Sequence, residues 1–165
     1  MNYFNLLNLE QKYDLDLKEL NKRYLEAQLK FHPDKARDPA EKNLFLQTSS
    51  HINKAYQILK DEVHRAEYIL LINAINITEK KDLPQNQLIK IWEELEIVEK
   101  ATKLSELAEL YAEKNTAKHK LMEKLTDAFN NHNLQDALDI TISLKYLTNL
   151  INNIKIKQNA TSGNQ

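Results

Sequence analysis

An all-α fold in two parts is what this sequence predicts: an N-terminal helical hairpin followed by a C-terminal three-helix bundle. Three observations carry that expectation. Apolar residues recur at three- and four-residue steps through most of the chain. Strand chemistry is scarce, with two valines, Val63 and Val98, and no Asn-Gly or Asp-Gly turn. Glycine occurs once, at Gly163, so the backbone positions that a phosphate-cradling loop or a dinucleotide fingerprint requires are missing.

The elements follow in order. Tyr3 to Leu9 forms a short apolar helix that covers the base of the hairpin. The first long helix starts at Asp16, where Asp16-Leu17-Lys18-Glu19 reads as a capping box. Its stripe is Leu17, Leu20, Tyr24, Ala27 and Phe31, and Pro33 stops it because the residue before a proline avoids the α region. A loop from His32 to Asp38 leads to a second start signal, with Asp38 as N-cap and Pro39 at the first helical position. The returning helix carries Leu44, Thr48, Ile52, Ala55, Tyr56 and Leu59, and so short a loop makes the pair antiparallel. Asp61 caps a further helix through Val63, Ala66, Ile69, Leu70 and Ile72.

The polar stretch from Thr78 to Pro84 marks a boundary. We expect an N-terminal domain over residues 1–75, a linker over 76–84, a bundle over 85–157 and a disordered tail over 158–165. The bundle helices run from about Gln85 to Ala101, Leu104 to Phe129, and Asn133 to Lys157. The first carries Leu88, Ile91, Trp92, Leu95 and Val98. The second carries Leu104, Leu107, Ala108, Tyr111, Leu121, Met122, Leu125 and Phe129. The third carries Leu134, Leu138, Leu144, Leu147, Ile151 and Ile154.

Composition narrows the function classes. With 42% apolar and 28% charged residues, the chain has the balance of a soluble globular protein. No apolar run approaches the ~20 residues that cross a bilayer, and the first residues lack a secretory signal. Cysteine is absent, which excludes disulfides, thiol catalysis and Cys-ligated zinc and fits a cytoplasmic location. A net charge of −1 argues against general attraction to nucleic acid.

The candidate site is the tripeptide His32-Pro33-Asp34. Pro33 fixes φ and stiffens the turn, while His32 and Asp34 project as a polar pair. Lys18, Lys22, Arg23 and Lys30 on the preceding helix, with Lys35 and Arg37 in the loop, surround it with positive charge. A cationic helix leading to a rigid knuckle suits docking on an acidic partner surface. Pro33 opposes a mutual contact between His32 and Asp34, which argues against an acid–base dyad of a helical enzyme.

A capped basic helix, then His-Pro-Asp-Lys, then an antiparallel helix, resembles the J-domain over residues 1 to about 75. That resemblance implies docking on a DnaK-type chaperone and stimulation of its ATPase. His32, Pro33 and Asp34 would be the activating loop, with Lys22, Arg23, Lys30 and Lys35 in the docking surface. The full length is similar to the HscB family, the J-proteins of iron–sulfur cluster assembly. The likeness rests on Met1-Asn2-Tyr3-Phe4, Ile52-Asn53-Lys54-Ala55-Tyr56, Arg65-Ala66-Glu67-Tyr68-Ile69-Leu70 and Ile91-Trp92-Glu93-Glu94-Leu95-Glu96.

The family's C-terminal domain binds the scaffold protein IscU, and its J-domain delivers that scaffold to the chaperone HscA. By the family pattern Ile91, Trp92, Leu95, Glu96, Glu99 and the aromatic Tyr146 are the scaffold-binding residues. Lys103 departs from the pattern, standing where the family often has a carboxylate. The expected protein is a monomeric adaptor with no cofactor, no metal and no catalysis of its own. The alternative is a J-domain adaptor for a different client. His51, His64, His119 and His132 lack metal-ligand spacing, and the adjacent carboxylates Glu93 and Glu94 point to different helix sides.

Overall fold

The structure, a computed structural model, describes residues 2–75, 77 and 85–162, with the side chains of 85–88 left aside. Seven α-helices are described: α1 (Tyr3–Leu6), α2 (Leu17–Lys30), α3 (Pro39–Lys60), α4 (Glu62–Ile72), α5 (Gln85–Lys100), α6 (Leu104–Asn130) and α7 (Leu134–Ser162). A 3₁₀ turn, Pro33–Lys35, lies between α2 and α3. The chain divides into two compact units, Met1–Ala74 and Ile75–Gln165. The linker expected over 76–84 falls outside the described residues except for Ile77.

In the first unit each long helix begins on an aspartate. Asp16 accepts from the Lys18 N–H, Asp38 from the Glu41 N–H, and Asp61 from the N–H groups of Val63 and His64. The capping box expected at Asp16 takes another form, because the Glu19 carboxylate turns to Arg23, 2.7 Å away. Antiparallel packing of α2 on α3 is read directly from contacts whose residue numbers sum to a near-constant. Tyr56 meets Asn21, Asn53 meets Tyr24 and Gln28, Ser49 meets Gln28, and Phe45 meets Phe31. The stacked rings of Tyr24 and Tyr56, 4.2 Å apart, belong to the same seam.

The core of this unit gathers Phe4, Leu7, Leu20, Ile52, Ala55, Leu59, Ala66 and Leu70, each nearly or fully buried. Burial of one such leucine or isoleucine contributes about 1.5–3 kcal/mol. Two residues of the expected stripes do not join it: Leu17 and Leu44 are exposed. Leu17 is the first helical residue, before the helix has reached cover. On α3, Phe45 takes the inward position that Leu44 was expected to hold, with its ring edge-on to Phe31 at 5.6 Å.

α4 buries two residues outside its aliphatic stripe. Arg65, 5% exposed, donates from Nη1 to the Leu59 carbonyl at 2.6 Å and lies 5.0 Å over the Tyr13 ring. Tyr68 stacks on Tyr3 at 4.4 Å and its hydroxyl accepts from the Tyr3 N–H at 2.9 Å, which ties the N-terminal segment to α4.

The second unit holds α5, α6 and α7. α6 and α7 pair through Leu107, Leu125, Ala128, Ala137, Leu138, Thr141, Leu144, Leu150, Ile151 and Ile154, all buried. Three helices over this region match the expectation in number and order. The Asn133 cap also appears, with its side chain accepting from Asp136 N–H. Three details differ. Ala108 is exposed, and among the described side chains of α5 only Val98, with Ala101 just past the helix end, enters the core cluster with Leu107, Leu150 and Ile154. α7 continues to Ser162, past the expected end at Lys157. Thr161 and Ser162 hydroxyls bond back to the carbonyls of Lys157 and Gln158, so residues 158–162 are helix and not a loose tail. With one glycine in the chain, the left-handed positions at Asn8 and His132 and at Ala74 are filled by other residues.

Candidate functional site

Two surfaces carry the expected site residues, one on each unit. On the first, Phe31 closes α2 with its N–H on the Ala27 carbonyl, and its ring rests on Phe45. That aromatic pair supports the 3₁₀ turn. Lys35 and Ala36 N–H groups bond to the His32 and Pro33 carbonyls and lock it. Arg37 N–H donates to Glu41 and Asp38 caps α3, so the loop is held at both ends.

His32 caps the turn: its Nδ1 accepts from the Asp34 N–H at 3.2 Å. In the neutral ring the proton therefore sits on Nε2. The Asp34 carboxylate lies 3.6 Å from the same Nδ1, and the two side chains are 55% and 84% exposed. The turn thus brings His32 and Asp34 into contact, against the expectation that Pro33 keeps them apart. A 3₁₀ turn folds residue i+2 back over its cap, and Pro33 at its first position is what sets that geometry. The pair lies on an open surface.

Lys18, Lys22, Lys30, Lys35 and Arg37 are all exposed around this knuckle. Lys30 rests 5.3 Å over the Phe31 ring. Arg23 differs from them. It is half-buried, its Nε lies 2.7 Å from Glu19 in a bent charge contact, and its Nη1 bonds Glu26 at 3.4 Å. Its charge is shared with two carboxylates of its own helix. Sequence reasoning missed Leu25 and Leu29, 52% and 64% exposed, which interleave with Lys18 and Lys22 on the outer face of α2. Their four-residue spacing, out of phase with Leu20, Tyr24, Ala27 and Phe31, was the available signal.

The second surface lies where α5 meets α7. Trp92 is 74% exposed and Leu95 is also exposed, although both belong to the apolar stripe of their helix. A groove of about 970 Å³ is lined by Ile89, Trp92, Leu95, Glu96, Glu99 and Lys157, among others. An adjoining groove takes Ile91, Leu95, Tyr146 and Leu150. Leu95 and Asn153 belong to both. The structure therefore assembles all six expected residues on one face, in two rows joined at Leu95.

Charge on this face is partly neutralised. Glu96 pairs with Lys100 at 2.6 Å. Lys157 donates to the Val98 carbonyl at 2.8 Å and to that of Glu99, capping the C-terminal end of α5. Glu94 lines the edge of the second groove but is already paired: it meets Lys114 of α6 at 2.9 Å. Burial works against the Lys114 charge, yet the hydrogen bonds to Glu94 and Glu113 raise its pKa overall. Lys103, the departure from the family pattern, lies 3.6 Å from Glu106. The Glu106 carboxyl is held below its usual range, first by the Lys103 backbone N–H and then by that of Thr102. Among the described residues no group of three or more His, Asp or Glu is placed to hold a metal ion. No described helix is long and apolar enough to cross a membrane.

Comparison with known proteins follows the same division. Residues 2–68 match the DnaJ domain, and residues 86–155 match the HSCB C-terminal oligomerisation domain. Over 158 residues the chain is 33% identical to the co-chaperone protein HscB homolog of Haemophilus ducreyi, covering 91% of each protein. It is 32% identical over 161 residues to the Shewanella homolog, covering 91% of this chain and 92% of the other. The crystal structure of the human co-chaperone protein HscB superimposes with a TM-score of 0.88 at 26% identity, covering 95% of this chain and 82% of that one. The chaperone HscB from Vibrio cholerae shares the fold with a TM-score of 0.84 at 24% identity, covering 98% and 99%.

Proposed function

The chain belongs to the HscB family of J-domain co-chaperones, and on that premise we propose that it stimulates the ATPase of the DnaK-type chaperone HscA and delivers the iron–sulfur scaffold IscU to it. The observation that carries the reading is the exposed His32-Pro33-Asp34 turn. It is braced by Phe31 and Phe45 and surrounded by exposed Lys18, Lys22, Lys30 and Lys35. Long-range attraction from these cations speeds the encounter with an acidic surface, and the stiff turn makes the contact.

The α5–α7 face would hold the scaffold through Ile91, Trp92, Leu95 and Tyr146, with Glu96 and Glu99 setting its register. The division of labour is one unit for the chaperone (residues 1–75) and one for the client (85–157), acting as a monomer in the cytoplasm. The chain itself would perform no chemistry.

The test is HscA ATPase measured with this protein and IscU, separately and together. His32→Gln, at an exposed position, is expected to fold normally and abolish stimulation. A folded His32→Gln protein that stimulates as well as the wild type would overturn the assignment of the turn. Trp92→Ala with Leu95→Ala is expected to weaken IscU binding while leaving stimulation by the first unit intact.

A further inference from the structure

The α5–α7 groove has a chemistry more specific than an apolar anchor. Trp92 presents most of its indole to solvent. Three carboxylates, Glu93, Glu96 and Glu99, line the groove with it, against one ammonium, Lys157. Lys157 is already committed to the last carbonyls of α5, and Glu96 is engaged by Lys100. Among the described residues no ion pair engages Glu93 or Glu99. Glu96 and Glu99 follow Trp92 by four and seven residues, so they rise on the same side of the helix, and side chains in a helix lean toward its N-terminus. The carboxylates therefore lean toward the indole. An aromatic face beside uncompensated carboxylates is the arrangement that attracts a cation.

We propose that the groove receives a cationic side chain, an arginine or lysine, from the partner, stacked on the Trp92 ring and held by Glu93 and Glu99. The partner segment that binds here is an apolar one flanked by that cation. Its apolar part rests on Leu95 and extends to Ile89, an exposed residue one turn before Trp92 in the same groove. The inference rests on the client reading above and gives the chemistry of its contact.

The chain has one Trp, so indole emission reports Trp92 directly. IscU binding to the full-length protein and to Trp92→Phe, Trp92→Leu and Glu99→Gln is measured by calorimetry at low and high salt, and indole emission serves the proteins that keep Trp92. Trp92→Leu keeps apolar bulk and is expected to lose about 3- to 30-fold in affinity, while Trp92→Phe keeps most of it. Glu99→Gln should weaken binding at low salt and flatten its salt dependence. Leucine binding as well as tryptophan, with a salt dependence unchanged by Glu99→Gln, would overturn the proposal.

A second probe separates this outcome from failure of the client reading. The N-acetylated peptide amide Leu-Leu-Arg is compared with the N-acetylated peptide amide Leu-Leu-norleucine by indole emission. A larger response to the arginine peptide, lost in Glu99→Gln, supports the cation site even if IscU does not bind. Equal responses overturn it. Emission that changes with the protein's own concentration, with no probe added, would place a second copy in the groove and also overturn it.

Discussion

Replacing Arg65 by methionine is expected to destabilise the first unit by about 2–4 kcal/mol. The magnitude follows from what the guanidinium touches. Its bond to the Leu59 carbonyl, 2.6 Å long and buried, is charge-assisted and contributes about 1.5–3 kcal/mol. Its position over the Tyr13 ring adds about 1–2 kcal/mol. Against these stands desolvation, which is the main reason that the Arg65 pKa is lowered, and methionine escapes that cost. Methionine also leaves the Leu59 carbonyl without its donor at the end of α3. A loss of this size is a large share of the total stability of a small domain.

The assay is hydrogen exchange by mass spectrometry on the full chain, because two units make a single unfolding midpoint ambiguous. Peptides from α3 and α4 should lose protection, while those from α6 and α7 keep it. Arg65→Lys, which retains charge without the planar fork, should fall between. Unchanged protection of α4 in Arg65→Met would refute the claim that this buried arginine fastens α4 to the hairpin.

Two further predictions concern titration and the end of α5. Burial pushes the Tyr13 hydroxyl up to about 12, with the Arg65 charge acting in the opposite direction. An unfolded tyrosine ionises near 10, so Tyr13 contributes about 3 kcal/mol that is fully present below pH 10 and is lost between pH 10 and 12. Urea midpoints at pH 9 and pH 11 should differ more for the wild type than for Tyr13→Phe, and equal differences would refute this. Lys157→Met should fray the last turn of α5 by about 1–2 kcal/mol, seen as faster exchange at Glu99, Lys100 and Ala101. Lys157→Arg should restore most of the protection.

Local chemistry was legible in the sequence, and long-range pairing was not. Asp16, Asp38, Asp61 and Asn133 announced their helices because a cap depends on residues two or three positions away. The His32-Pro33-Asp34 turn was legible for the same reason, whereas the α5 stripe was legible only in part: Val98 is buried, Ile91 is half-buried in the groove, and Trp92 and Leu95 are exposed. Arg65 was not legible as a buried residue, because arginine is ordinarily outside unless something distant compensates it. The compensation here comes from Leu59 and Tyr13. The Lys114–Glu94 tie between α6 and α5 was hidden for the same cause. Leu17 and Leu44 show the other limit: periodicity gives the direction of an apolar face and not where cover stops.

α3 spans 22 residues, about 33 Å, with the polar turn at its first end and the Arg65–Tyr13–Tyr68 fastening at its last. Perturbations so far apart combine additively. Mutational drift can therefore harden or soften the fastening, adapting the protein to a warmer or colder setting, while the exposed His32-Pro33-Asp34 turn keeps its shape. Selection has separate handles on durability and on the exposed turn, mounted at opposite ends of one rod.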